Sequence, residues 1–194
     1  MLTNKEKLLL ISLLLQYPDE ETLNKLSEII RSIREKGRGD PIMDLAMRFL
    51  SEDPIMLQEE YVQNFDLNQK FSLYLTAWEL RDRRERGMRI LELKKKIQEA
   101  GFKLPDKELP DYVPLLLEFM ATVKEEKWPE NLKERISAFS LDAKKKIASD
   151  KYRAVFSELV KMFSEVKQKD QRNLESDTFF EPYSLNYEVE GEEL

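Results

Sequence analysis

The chain contains no cysteine and no histidine among its 194 residues. These two absences exclude zinc and iron–sulfur sites built on those side chains, haem ligation through them, thiol nucleophiles and imidazole acid–base catalysis. Carboxylate, hydroxyl, amine or bound-cofactor chemistry is what remains. No disulfide can form, so nothing ties the chain to an oxidising compartment. Glycine is scarce, at 5 residues, and no glycine-rich phosphate loop is present. Long hydrophobic runs are missing too. The opening MLTNKEKLLLISLLLQYPDEE places Lys5 and Lys7 before an apolar run at residues 8–15, far short of the ~20 residues a spanning helix needs. The following Gln16-Tyr17-Pro18-Asp19 lacks the small residues of a signal-peptidase site. The expectation is a buried first helix in a cytoplasmic protein, with no membrane insertion.

What is present leans strongly one way. The chain is 41% hydrophobic and 36% charged, rich in Leu, Glu, Lys and Arg, a balance that favours helices. Charge is unevenly placed. Residues 170–194 carry eight acidic groups and one arginine, a net of −7 against −6 for the whole chain, so residues 1–169 sum to +1. A near-neutral body argues against a nucleic-acid partner. Two regions are expected: an all-helical domain over 1–169 and an acidic, aromatic-containing tail over 170–194, disordered beyond Tyr187. Phe179, Phe180, Tyr183 and Tyr187 interrupt the tail's acidity. They suggest docking on the helical body, where the carboxylates would steer a basic ligand.

Helix starts are marked by caps. Asp19 precedes a stripe of Leu23, Leu26, Ile30 and Ile33, and Asp40-Pro41 and Asp53-Pro54 each place a capping Asp before a first-turn proline. The segment FSLYLTAW (71–78) has no charge and belongs inside the bundle. Asp82 with Glu85 forms a capping-box pattern for a helix running to about Gly101. Asp111 reads as the next cap, with Pro114 in the first turn. Two further stripes begin at Leu132 and Tyr152. Together these predict an all-α fold: a single bundle-like domain of about eight to nine helices.

Two charges sit on faces that should be buried. Glu118 interrupts the apolar run of ELPDYVPLLLEFM. Arg86 lies in line with Ile90, Leu93, Ile97 and Ala100. Such charges are paired or open onto a functional surface. A structural pair between Arg86 and Glu118, a local pair of Arg86 with Asp82, and ligand contact all fit the spacing. The arginines at 81, 83, 84, 86 and 89 spread around the helix as a solvated surface. Tyr61, Phe65, Phe71, Tyr74 and Trp78 concentrate around one turn, which suits a core or a groove lined by aromatics.

The linked set Tyr61…Phe65-Asp66…SLYL…Arg86-Gly87…ELPDYVPLLLEF, with the early LLLQYPDEE and the late KYRAVFSELV, resembles the nitrate reductase delta-subunit family of NarJ-type molybdenum-cofactor assembly chaperones. The resemblance covers most of residues 8–166. It departs from the family pattern at Trp78, where relatives often carry His, and at Arg81, where they carry Gly. It implies a cytoplasmic helical chaperone without catalytic or metal-binding residues and without a cofactor of its own. Such proteins hold the apo catalytic subunit of a molybdopterin oxidoreductase by its N-terminal segment, a twin-arginine signal or its remnant. They assist molybdenum-cofactor insertion before membrane attachment or export, any contact with that cofactor being indirect. The groove residues expected are Tyr61, Phe65, Asp66, Tyr74, Trp78, Asp82, Arg86, Asp111, Tyr112 and Glu118. The competing reading is a helical adaptor or regulatory subunit that stays in a mature complex.

Overall fold

The structure, a computed structural model, describes residues 1–105 and 107–170. The acidic tail's remaining residues, and the docking expected of them, lie outside that range. Nine α-helices are found among the described residues: α1 (Asn4–Leu14), α2 (Glu20–Ile33), α3 (Pro41–Leu50), α4 (Pro54–Tyr61), α5 (Leu75–Leu80), α6 (Glu85–Glu99), α7 (Val113–Thr122), α8 (Leu132–Lys146) and α9 (Asp150–Asp170). There is no strand among them, as the composition predicted. A π-helical turn, Val62–Asp66, extends α4, and a 3₁₀ turn, Glu125–Lys127, precedes α8. None of these helices is long and apolar enough to cross a membrane.

Local chemistry sets the helix starts. Thr3 and Glu6 cap α1 reciprocally, the Thr3 amide donating to Glu6 at 2.8 Å. That bond and the Lys36 ammonium pull the Glu6 carboxyl down to about 2. The Asp19, Asp40 and Asp53 side chains each accept a first-turn amide of α2, α3 and α4. Asp40 is itself buried and paired with Lys7 at 2.9 Å, so this cap also fastens α3 to α1.

The bundle centre is α1 packed on α7. Seven residues of the 8–15 run in α1 and its cap are buried, as are eight of the ten residues of α7. Around this pair lie α2 and α3 on one side and the α8–α9 hairpin on another. The hairpin closes through residues 147–149, where Asn64 of the π-turn accepts the Ser149 amide at 3.0 Å. Phe139 of α8 and Phe156 of α9 meet inside it, with Phe71 against both.

The stretch 71–84 departs from expectation. Its first residues do not form a helix: Val113 donates its amide to the Leu73 carbonyl and Leu75 to the Asp111 carbonyl, both at 2.8 Å. These two bonds clip the segment before α5 to the segment before α7 as a short antiparallel bridge. The expected capping box of Asp82 with Glu85 does not form. Helix α6 starts behind Arg84 without a side-chain cap, and Asp82 is exposed. The cause is one residue earlier. Arg81 closes α5 at φ 52°, ψ −128°, a turn conformation that glycine adopts without strain and arginine does not. The chain therefore leaves α5 in a tight turn, and the Asp82 side chain makes no hydrogen bond to the first amides of α6. Arg81→Gly is expected to raise stability by about 1 kcal/mol, read as a higher denaturation midpoint with an unchanged slope.

Candidate functional site

Five tyrosines and a phenylalanine gather where the α1–α2 turn, the end of α4, the start of α5 and the start of α7 converge. Tyr61 and Phe65 are one turn apart, which stacks their rings at 4.8 Å, and Tyr152 of α9 closes on Phe65 at 4.7 Å. These three are buried, so they are core aromatics and form the floor of the cluster. The Tyr152 hydroxyl has no partner among the described residues. Above the floor, the Tyr61 and Tyr112 hydroxyls lie 3.2 Å apart, and Tyr112 donates onward to the Leu15 carbonyl at 3.5 Å. Tyr17 stands edge-on against Tyr61 at 5.5 Å, and Tyr74 packs on Tyr112 at 5.3 Å. Tyr17 is exposed and Tyr74 and Tyr112 are half-buried, so these three make the outward face.

The charges around this face are mostly acidic. Burial raises the Tyr74 pKa, and the carboxylates of Glu108, Asp111 and Asp66 raise it further, against a smaller opposing effect from Arg86. Burial likewise raises Tyr61 and Tyr112. All three phenols therefore remain protonated hydrogen-bond donors at neutral pH. Asp66 and Glu108 are exposed, and Leu67 beside Asp66 is 70% exposed. A half-open tyrosine face rimmed by carboxylates and one projecting leucine suits a cationic segment with an apolar side.

The sequence pattern makes Asp111 the expected cap of α7, and the structure corrects this. The N-cap is Tyr112, with no side-chain bond, while Pro114 does occupy the first turn. The Asp111 carboxylate turns instead to α5. It accepts the Thr76 hydroxyl at 2.5 Å and the Thr76 amide at 3.3 Å, and is wholly buried. Arg86 reaches the same pair, its Nε donating to Thr76 Oγ1 at 3.3 Å and its Nη2 standing 4.0 Å from Asp111 Oδ2. The second carboxylate oxygen of Asp111 has no partner among the described residues. Arg86 is thus paired, one of the alternatives its place on the stripe of α6 left open, and its partner is neither Glu118 nor Asp82.

Glu118 lies elsewhere. It is the half-exposed residue in the otherwise buried middle of α7 and faces α2. There Lys25, whose pKa is raised first by its hydrogen bond to Glu21, is also held charged by Glu118. Trp78 also lies off the tyrosine face. Its indole donates to Asp142 of α8 at 2.7 Å and its ring meets Phe139 edge-on at 5.7 Å, a seam between α5 and α8. The structure therefore brings Tyr61, Phe65, Asp66, Tyr74, Arg86, Asp111 and Tyr112 together and leaves Trp78, Asp82 and Glu118 outside. Sequence reasoning missed Tyr17, Thr76 and Glu108. Only Tyr17 gave a signal, as an aromatic before Pro18 at a helix junction.

Residues 19–165 match the nitrate reductase delta subunit family. A probable nitrate reductase molybdenum cofactor assembly chaperone NarJ of Bacillus subtilis is 37% identical over 117 residues, covering 59% of this chain and 64% of that protein. The match thus spans less than two thirds of the Bacillus protein's length. Nitrate reductase molybdenum cofactor assembly chaperone NarJ of Escherichia coli is 27% identical over 171 residues, covering 85% of this chain and 72% of its own. The crystal structure of a candidate redox enzyme maturation protein from Archaeoglobus fulgidus superposes with a TM-score of 0.64 at 20% identity, over 84% of this chain and 96% of the other. That likeness establishes a shared fold.

Proposed function

Because this chain belongs to the nitrate reductase delta subunit family, we propose that it is a dedicated assembly chaperone for a molybdopterin oxidoreductase of the nitrate reductase type. It holds the apo catalytic subunit by its N-terminal segment in the cytoplasm, and releases it after the molybdenum cofactor is inserted and before membrane attachment or export. The relatives named as cofactor assembly chaperones support the role. The observation that carries the peptide reading is the face of Tyr17, Tyr74 and Tyr112 between the carboxylates of Asp66 and Glu108.

The physics is helix-in-groove recognition. A basic, apolar segment loses conformational freedom on ordering, and burial of its apolar side against aromatic rings offsets that cost. The Tyr112 hydroxyl is held by Tyr61 and the Leu15 carbonyl, so that ring needs little reorganisation when the segment arrives. Asp66 and Glu108 accept the segment's cations at the rim, where charge adds rate and specificity more than affinity. The chaperone itself carries out no bond making or breaking. Its contribution is to keep an apolar, basic segment out of water and away from other partners until the client is complete.

Titration calorimetry with the client's N-terminal peptide is expected to give a Kd of about 1 μM or tighter, roughly −8 kcal/mol. A scrambled peptide of the same composition should bind at least ~10-fold more weakly. Equal affinity for the two peptides would reject specific recognition, and unchanged binding after Asp66→Lys with Glu108→Lys would move the site away from the tyrosine face.

A further inference from the structure

The opposite end of α7 carries a second surface. Two adjoining depressions, each of about 560 Å³, share Ala100 and Lys127 and lie where α6 and α7 both end. Helix α6 stops in a paired-bond terminus: Gly101, at φ 86°, donates its amide to the Gln98 carbonyl and Phe102 donates to Ile97. That reversal turns Phe102 inward against Phe119, edge-on at 5.5 Å. Across the depression the Trp128 indole donates to the Val123 carbonyl at 3.1 Å. Lys96, Lys103, Lys124 and Lys127 line the two hollows, against the carboxylates of Glu99 and Glu130. The result is a concave surface with two half-buried aromatics and an excess of ammonium groups.

The hairpin of α8 and α9 leads the chain back to this place. The two helices are antiparallel across residues 147–149, so the C-terminal end of α9 lies alongside the start of α8, next to residues 128–130. Helix α9 has 21 residues to the 15 of α8 and overshoots it. The 24 residues that follow contain no lysine and include the run Asp177-Thr178-Phe179-Phe180-Glu181, two aromatics between two carboxylates. From Asp170 to Phe179 the chain can extend up to about 30 Å, more than the ~22 Å length of α8. Reach, charge and aromatic content all match one surface.

We propose that the acidic C-terminal segment of this chain docks in cis on the lysine-lined depression between the ends of α6 and α7. Phe179 and Phe180 cover Phe102 and Trp128, while Asp177 and Glu181 meet Lys103, Lys124 and Lys127. The depression and the tyrosine face occupy opposite ends of α7, so the docked segment leaves the peptide-binding face open. Its consequence is to fasten the end of α6, whose helix buries only Leu93 and Ile97, to the rest of the bundle.

Zero-length carbodiimide cross-linking of the full chain, read by mass spectrometry, is expected to join Asp177 or Glu181 to Lys103, Lys124 or Lys127. Mixing isotopically labelled and unlabelled chains should give these products within one chain, and products only between chains would overturn docking in cis. Truncation after Asp170 should leave the circular dichroism unchanged and speed amide exchange in residues 100–104 and 123–130 by roughly tenfold. Phe179→Ala with Phe180→Ala in the full chain should give the same acceleration. Identical exchange in the full and truncated chains, with no tail-to-lysine cross-link, would refute the proposal. Cross-links from the tail to Lys25 or Lys70 instead would place the segment elsewhere and refute it equally.

Discussion

Asp111→Ala is expected to lower stability by about 3 kcal/mol. The carboxylate is wholly buried and accepts both the hydroxyl and the amide of Thr76. Its removal strands those two donors in the interior, each costing about 1–3 kcal/mol if water cannot reach it, and takes the only ion-pair partner found for Arg86 among the described residues. Arg86→Met should cost less, about 1 kcal/mol, because its side chain is 29% exposed and its guanidinium is 4.0 Å away. The double mutant should therefore lose less than the sum of the two, by about 1 kcal/mol. Urea unfolding of the three variants measures this directly. Glu118→Gln serves as the contrast, expected within about 0.5 kcal/mol of the parent because Glu118 is half-exposed. A loss at Glu118 as large as that at Asp111 would mean that the buried charge of the bundle has been misassigned.

The larger effect is expected at Phe139→Ala, about 4 kcal/mol. Phe139 is fully buried on α8, with the rings of Phe71 at 4.9 Å, Trp78 at 5.7 Å and Phe156 at 6.1 Å. It is the side chain through which α5, α8 and α9 and the stretch before α5 all meet. Truncation removes the apolar burial and leaves a cavity that four anchored segments cannot collapse to fill. Thermal and urea unfolding report the loss, and a value below about 2 kcal/mol would show that the seam relaxes around the gap. Peptide affinity at the tyrosine face, measured where the variant remains folded, should not change. Trp78 sits on Phe139 and not on that face, so the two measurements separate core from site.

Which parts of this were legible in the sequence follows from how local the physics is. The starts at Asp19, Asp40 and Asp53 depend on a side chain reaching amides two or three residues away, and sequence spacing is enough to read them. The stripes of α8 and α9 depend on a 3.6-residue period and were equally plain. Asp82 and Asp111 look like the same kind of residue and are not. At Asp82 the deciding fact is the left-handed φ of Arg81, a backbone choice that arginine gives no reason to expect. At Asp111 the deciding fact is the bridge from Leu73 to Val113, which carries α5 within reach of a carboxylate 35 residues away. For Arg86 and Glu118 the periodicity correctly required an explanation for each charge, yet period fixes only which face a residue occupies. It does not say what the other helix brings to that face. The aromatic cluster was legible as a cluster, while its division into the buried Tyr61 and Phe65 and the open Tyr17 and Tyr74 needed the fold.

The two tryptophans of the chain have a practical consequence. Trp78, one turn after Tyr74, has its indole on the Asp142 carboxylate, and Trp128 has its indole on a backbone carbonyl with the Lys133 ammonium 5.5 Å from the ring centre. One stands in the seam between α5 and α8 and the other in the lysine-lined hollow. Their emission is therefore shaped by opposite charges in two separated places. Single-tryptophan chains made by Trp78→Phe or Trp128→Phe become optical probes of the hollow or of the α5–α8 seam, one at a time. With no cysteine in the sequence, an engineered thiol for energy transfer could be placed beside either probe without a competing label site.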